Sequence, residues 1–200
     1  MPSDNSITAE IAATAARLVV EEGLEYGPAK QRALKTLGLP RNGRAALPSN
    51  DELEEQVRDY LALFCADTQP AELVALRELA AVWMERLAEF RPHLCGAVWR
   101  GTATRLSNIH LQLYCDDSKS AEIALINLGI DYEVGAVNGP RGRDIDVLSL
   151  AAPCRALGET VTLHLSILDF DDLRGALKTD AHGRTERGDL AALRKLMEQT

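Results

Sequence analysis

The sequence predicts an α+β fold: an N-terminal helical region over residues 1–92, then a mixed β-sheet with flanking helices over 93–200. Three observations predict it. Apolar residues recur at helical spacing through the first ninety residues. From Leu94 onward the pattern changes to residue-by-residue alternation in short runs punctuated by Gly, Pro and Asn. Helices precede strands instead of alternating with them, which is the order of an α+β chain and not of a doubly wound one.

Residues 7–22 are Ala-rich, with Ile11, Ala15, Leu18 and Val19 on one stripe, and Gly23 stands where a left-handed cap is wanted. A second helix opens at Pro28, carries Ala29, Ala33, Leu34 and Leu37, and ends at Gly38. The stretch 39–48, with Pro40, Asn42, Gly43 and Pro48, reads as a loop. Ser49 followed by Glu52 is a capping-box pattern that opens a third helix over 50–66. Its acidic residues Asp51, Glu52, Glu54, Glu55 and Asp59 suit the positive end of the helix dipole and read as a solvated face, or else as a partner-docking surface. Pro70 opens a fourth helix that runs to Phe90 and is ended by Arg91-Pro92.

Strands are expected over 95–100, 109–115, 132–137, 144–150 and 161–168. A helix over 118–127 separates the second strand from the third. Asp116-Asp117 before it reads as a helix cap, or as a carboxylate pair. The segment 138–143 is a turn. Short helices are expected near 171–177 and 189–197, with a polar connection over 178–188 between them. His93 and His182 read as loop residues, and Trp83 and Trp99 as packing residues.

Composition narrows the function. Hydrophobic residues are 46% and charged residues 26% of the 200, an ordinary globular balance that excludes a largely disordered chain. Aromatics are only 4%, too few for a base-stacking nucleic-acid binder. The net charge of −8 repels phosphate backbones and anionic lipid, so nucleic acid and membrane are disfavoured as partners. Cys65, Cys95, Cys115 and Cys154 are widely and irregularly spaced, without a CxxC, and read as reduced thiols. The first residues lack a basic, then apolar leader pattern, and no apolar run of roughly 18 residues occurs, which points to a cytoplasmic protein. Walker A, GxGxxG, GxSxG and HExxH patterns are absent.

One segment carries chemistry. Over 97–111 an apolar stretch ends in Gly101-Thr102, a short polar connection follows, and Ser107-Asn108-Ile109-His110-Leu111 begins an alternating strand. This resembles the signature of the DNA-polymerase-β-like nucleotidyltransferases, including the minimal nucleotidyltransferases. In that superfamily an apolar strand precedes Gly-Ser, and Ser-Asp-hydrophobic-Asp-hydrophobic follows. A third carboxylate comes from a later strand of the same sheet. The resemblance implies a nucleotidyltransferase-like sheet domain, with Gly101 letting the backbone approach a phosphate and Thr102 and Ser107 as the hydroxyl residues. It also implies Mg²⁺ and a nucleoside triphosphate as cofactors of an active member. Here Asn108 and His110 stand at the two carboxylate positions. Neither suits a hard ion that prefers oxygen, so a two-Mg²⁺ clamp cannot be assembled in the family manner. The third position falls to Asp146, with Asp144 as its neighbour on the same face, and these two are the candidate catalytic carboxylates.

Other groupings stay open. Asn108, His110, His164 and Asp146 make a candidate soft-metal set, against the alternative of hydrogen-bonded histidines on a half-polar face. Arg100 and Arg105 flank the Gly-Thr turn and with Thr102 make a candidate anion site, against solvated loop arginines. Three functions follow. The first is a nucleotidyltransferase-like protein without two-metal catalysis that binds a nucleotide or another phosphorylated ligand. The second is an active, divergent nucleotidyltransferase that recruits Asp144, Asp146, Asp116 or Asp117. The third is a protein-interaction module working through its N-terminal helices.

Overall fold

A computed structural model describes residues 4–40, 47–139, 142–173 and 185–199. The helices are α1 (Asp4–Glu22), α2 (Tyr26–Thr36), α3 (Asn50–Phe64), α4 (Gln69–Arg86), α5 (Gly96–Arg100), α6 (Ser118–Asn127) and α7 (Leu190–Glu198). The strands are β1 (His93–Cys95), β2 (Ile109–Tyr114), β3 (Glu133–Asn138), β4 (Asp144–Cys154), β5 (Glu159–Leu168) and β6 (Arg187–Gly188). Helices come first and a mixed, helix-flanked sheet second, so the architecture is α+β. The chain divides into two compact units, Met1–Ala71 with Thr102–Ser107, and Glu72–Gly101 with Asn108–Thr200.

The first unit is built on α1, which packs against α2 and α3. Ile11, Ala15, Ala16, Leu18 and Val19 of α1 share a core with Ala29, Ala33 and Leu34 and with Leu53, Val57 and Leu61. The capping box at α3 forms on both sides: Glu52 N donates to Ser49 Oγ at 3.1 Å and Ser49 N to Glu52 Oε2 at 2.7 Å. One member of the acidic run departs from a wholly solvated face, because Glu54 is 9% exposed and pairs with Arg58 at 2.7 Å. The connection 102–107 belongs to this unit. Gln69 Nε2 donates to Ala103 O at 2.9 Å, and Leu106 lies so close to Gly23 that a Cβ there would come within 2.7 Å of its carbonyl oxygen.

The second unit carries a six-stranded sheet in the order β3-β4-β5-β2-β1-β6. The β2–β5 pair is parallel, and the others are antiparallel. Alternation sends Ile109, Leu111 and Leu113 of β2 to one face with Leu163, Leu165 and Ile167 of β5 and Leu148, Leu150 and Ala152 of β4, all buried.

Three expectations are corrected. Residues 95–100 do not form a strand; β1 ends at Cys95, and Gly96 takes φ +72°, which turns the chain into one turn of helix. That turn is held from its C-terminal end. Arg77, 4% exposed on α4, donates Nε to Val98 O at 3.1 Å and Nη2 to Trp99 O at 3.3 Å, and Gly101 caps it at φ +86°. His93 is no loop residue. It opens β1, is 6% exposed, donates Nδ1 to Arg91 O at 2.8 Å and sets its ring edge-on to Tyr114. The fourth helix stops at Arg86 and gives way to a 3-10 turn at Ala88–Phe90.

β6 lies inside the stretch expected as a polar connection, and β4 runs on to Cys154, past the strand expected over 144–150. The remaining elements follow the sequence pattern, with Asp117 and Asp189 as side-chain caps of α6 and α7. The short helix expected near 171–177 is a 3-10 turn at Phe170–Leu173, and its remainder, like His182, lies outside the described residues.

Burial holds the Arg77 guanidinium below its usual pKa, yet its fork meets two carbonyls at the C-terminal end of the short helix, where no further turn could serve them. Arg77→Met is expected to destabilise the second unit by about 2 kcal/mol, the cost of unmet buried carbonyls. Arg77→Lys should recover little of it, in chemical denaturation of the full chain.

Candidate functional site

Parallel pairing sets His164 of β5 directly beside His110 of β2. Antiparallel pairing sets Cys95 of β1 on the other side of His110, and Ser149 of β4 on the far side of His164. Partners across a ladder point to the same face. Cys95, His110, His164, Ser149 and, opposite Ser149 on the edge strand, Glu133 of β3 therefore form one row across five strands, on the face opposite the apolar core. The His110 and His164 rings lie 5.0 Å apart between centroids and 30° from parallel. Ser149 Oγ and His164 Nδ1 share a hydrogen bond of 2.8 Å, and Cys95 Sγ sits 3.5 Å from His110 O.

A second row runs beside the first. Gln112 pairs with His93 on β1 and Ser166 on β5. Gln112 Oε1 accepts from Arg187 Nη1 at 2.5 Å and from Tyr114 Oη at 3.0 Å. Arg187 faces Cys95 across the ladder, so its guanidinium reaches over β1 to Gln112 and also meets Glu186 at 3.4 Å. Its Nε is buried with no hydrogen-bond partner among the described residues. Burial pushes the Tyr114 hydroxyl up from its usual range, while its contact with Arg187 works the other way.

Two glycines make this arrangement possible. A Cβ on Gly96 would lie 3.4 Å from His110 Cδ2, so the bend after β1 brings bare backbone against the imidazole. The ring of Trp99 covers Gly188, where a Cβ would fall 2.1 Å from Cη2, and Trp99 Nε1 donates to Thr185 O at 2.7 Å. Trp99 thus anchors β6, and β6 presents Arg187. Sequence reasoning missed Arg187, Gln112, Cys95 and Gly96. Only Gly96 left a signal, as a glycine directly after the apolar Leu94-Cys95.

The sequence-derived candidates separate. His110 and His164 come together as neighbours in one row. Asp146 does not join them: Ser149 shares the histidine face, so Asp146, three residues away on β4, points to the opposite one, and Asp144 follows it. Asp117 is engaged as a cap, its Oδ1 accepting from Lys119 N at 3.0 Å. Gly101 is the cap of α5, and Arg100 is the last residue of that helix.

Thr102, Arg105 and Ser107 belong to the first unit, whereas Arg100, Gly101, Asn108 and His110 belong to the second. Thr102 is 2% exposed and its Oγ1 has no hydrogen-bond partner among the described residues. The Ser107 hydroxyl closes its own turn, accepting from Thr104 N at 3.0 Å while Ser107 N donates to Thr104 O at 2.8 Å.

The residues at hand do not fit the Mg²⁺ that the family resemblance implies. Asn108, His110 and His164 offer one amide and two imidazoles, and a hard cation takes oxygen ligands, usually carboxylates. Among the described residues no group of three or more His, Cys, Asp or Glu is placed to hold a metal ion.

No family model matches the chain, and no curated protein matches it. Among solved structures it is similar to the Cid1 poly(U) polymerase, in a crystal form with MgGTP bound, at 13% identity and a TM-score of 0.34. The match covers 48% of this chain and 32% of that one, so the chain spans about a third of the length of that polymerase. No helix among the described residues is long and apolar enough to cross a membrane.

Two substitutions test how the row is held. Gly96→Ala forces a side chain into the left-handed region against His110 and is expected to cost about 1 kcal/mol. The His110 ring resonances should shift in NMR spectra of the folded variant. Gly188→Val displaces the Trp99 indole, so Trp fluorescence should move toward that of a solvated ring, and Arg187 should lose Gln112.

Proposed function

We propose that the sheet unit binds a nucleotide or another phosphorylated small molecule and does so without two-metal transfer chemistry. One observation carries the reading. The face that carries His110 also holds His164, Ser149 and the Arg187–Gln112 pair, with Glu133 as the one carboxylate of its two rows. Imidazole N–H, hydroxyl and guanidinium groups are hydrogen-bond donors suited to phosphate oxygens, while a divalent cation finds a single carboxylate in the two rows, Glu133 at the β3 end. The sequence resemblance to nucleotidyltransferases makes a nucleotide the first ligand to test. In this reading the glycine that lets backbone approach the ligand is Gly96, because it is the one that follows the apolar strand. Gly101 caps α5, and Arg100 is the last residue of that helix.

The active-enzyme reading recruits Asp144, Asp146, Asp116 or Asp117; the first two alternate to the face opposite His110, and Asp117 caps α6. The reading of the helices as an interaction module has one observation on its side: Leu63 and Phe64 at the end of α3 are 75% and 69% exposed.

The test is thermal shift and calorimetric titration of the full chain with nucleoside triphosphates and with inorganic phosphate, in EDTA and in Mg²⁺. Binding is expected in EDTA, since a ligand that prefers the folded state raises Tm by linkage. Arg187→Ala and His164→Ala should each weaken it about tenfold, the worth of one charge-assisted hydrogen bond at roughly 1.5 kcal/mol. Pyrophosphate release with Mg²⁺ would overturn the proposal in favour of the enzyme, and absence of any shift would leave the interaction module.

A further inference from the structure

A serine hydroxyl is a weak nucleophile until a base takes its proton. Ser149 Oγ stands 2.8 Å from His164 Nδ1, within the range over which an imidazole can act as that base. The two residues are cross-strand partners in the middle of β4 and β5, and both are half-buried. Their strands are pinned from the core side by Leu148, Leu150, Leu163 and Leu165, all buried. A nucleophile and its base are thus held on rigid elements and not on a loop.

The neighbours of Ser149 leave its hydroxyl open to approach. Two positions on along β4, Ala151 is exposed and carries a single methyl group. Gly135 of β3 pairs with Val147 and is exposed with no side chain at all. Thr162 and Ser166 lie two positions either side of His164, on the same face and half-buried, and bring two hydroxyl donors. Glu133 lies directly across from Ser149. Cross-strand side chains start about 5 Å apart, so a carboxylate stands beside the nucleophile. It repels an incoming phosphate dianion and tolerates an electrophile without charge. The cation of this face, Arg187, pairs with Cys95 at the opposite end of the row.

We propose that Ser149 is a catalytic nucleophile, with His164 as its general base, and that it takes the acyl group of an uncharged carboxylic ester. Ser149 Oγ attacks the carbonyl carbon while its proton passes to His164 Nδ1, the neutral ring carrying its own proton on Nε2. The Oγ–C bond forms, the bond from that carbon to the alcohol oxygen breaks, and the alcohol leaves with the proton from Nδ1. Water then attacks the acyl carbon, gives a proton to Nδ1, and the serine recovers that proton as the carboxylic acid departs. One ester and one water become one acid and one alcohol. The Thr162 and Ser166 hydroxyls are the donors next to the tetrahedral oxyanion. This activity goes beyond the binding of a phosphorylated ligand and does not rest on it.

The experiment treats the full chain with phenylmethylsulfonyl fluoride, locates the modified residue by peptide mass spectrometry, and follows hydrolysis of p-nitrophenyl butyrate. The wild type is expected to carry the sulfonyl group on Ser149 and to hydrolyse the ester. Ser149→Ala should lose both. His164→Gln keeps a hydrogen-bonding side chain beside the serine but takes no proton. Its rates of sulfonylation and hydrolysis should fall about 100-fold, with unchanged circular dichroism. An unmodified Ser149 in the wild type overturns the proposal, whatever the variants do. So does hydrolysis that continues undiminished in Ser149→Ala, or sulfonylation of Ser149 at the wild-type rate in His164→Gln. Neither probe carries a phosphate, so this reaction and the nucleotide titrations can fail separately.

Discussion

The parallel pairing of β2 with β5 is the constraint on which the sheet depends. It places Ile109, Leu111 and Leu113 level with Leu163, Leu165 and Ile167, and every one of these is essentially buried. Each such side chain contributes about 1.5–3 kcal/mol by leaving water. A slip of one residue on either strand would turn that set to the other face and bury imidazole, amide and hydroxyl groups in its place. The register is therefore fixed by the core, and the core fixes what stands on the opposite face. His110 lies beside His164 because their neighbours on both strands are leucine and isoleucine.

That arrangement has a chemical consequence. Two imidazoles at 5.0 Å, a serine hydroxyl on one of them, and a guanidinium tied to a glutamine make a face of donors. β-Strand alternation sends Asp144 and Asp146 away from it and leaves Glu133, opposite Ser149 on the edge strand, as the one carboxylate of the two rows. A hard ion finds few of the oxygen ligands it prefers on such a face. The cation is supplied by a strand of only two residues, held by an indole lying on a glycine.

The short helix after β1 shows how a local sequence can mislead. Residues 95–100 are apolar and bounded by Gly101-Thr102, which suits a strand, and the run is too short for periodicity to separate strand from helix. Arg77, nineteen residues before the helix begins, decides it by meeting two of its carbonyls. With the helix in place Gly101 becomes a cap and Gly96 becomes the bend against His110. The Ser107 hydroxyl, free to bind phosphate as far as the sequence goes, is taken up by the backbone of its own turn.

Local patterns alone were enough for the α+β order, for α1 through α3 with the Ser49–Glu52 box, for the alternating strands expected over 109–115 and 161–168, and for the cap at Asp117. Each depends on residues within a few positions of one another, where spacing and capping chemistry act directly. The two histidines were also legible as mid-strand polar residues sharing a face. Which strand neighbours which, and hence that Ser149, Cys95 and Glu133 join the row while Asp146 does not, was decided only by the fold. Strand order and register are contacts between residues tens of positions apart, and no single-chain period encodes them. Arg187 belongs to the same class, since it reaches Gln112 across 75 residues of sequence and only the closed sheet brings the two together.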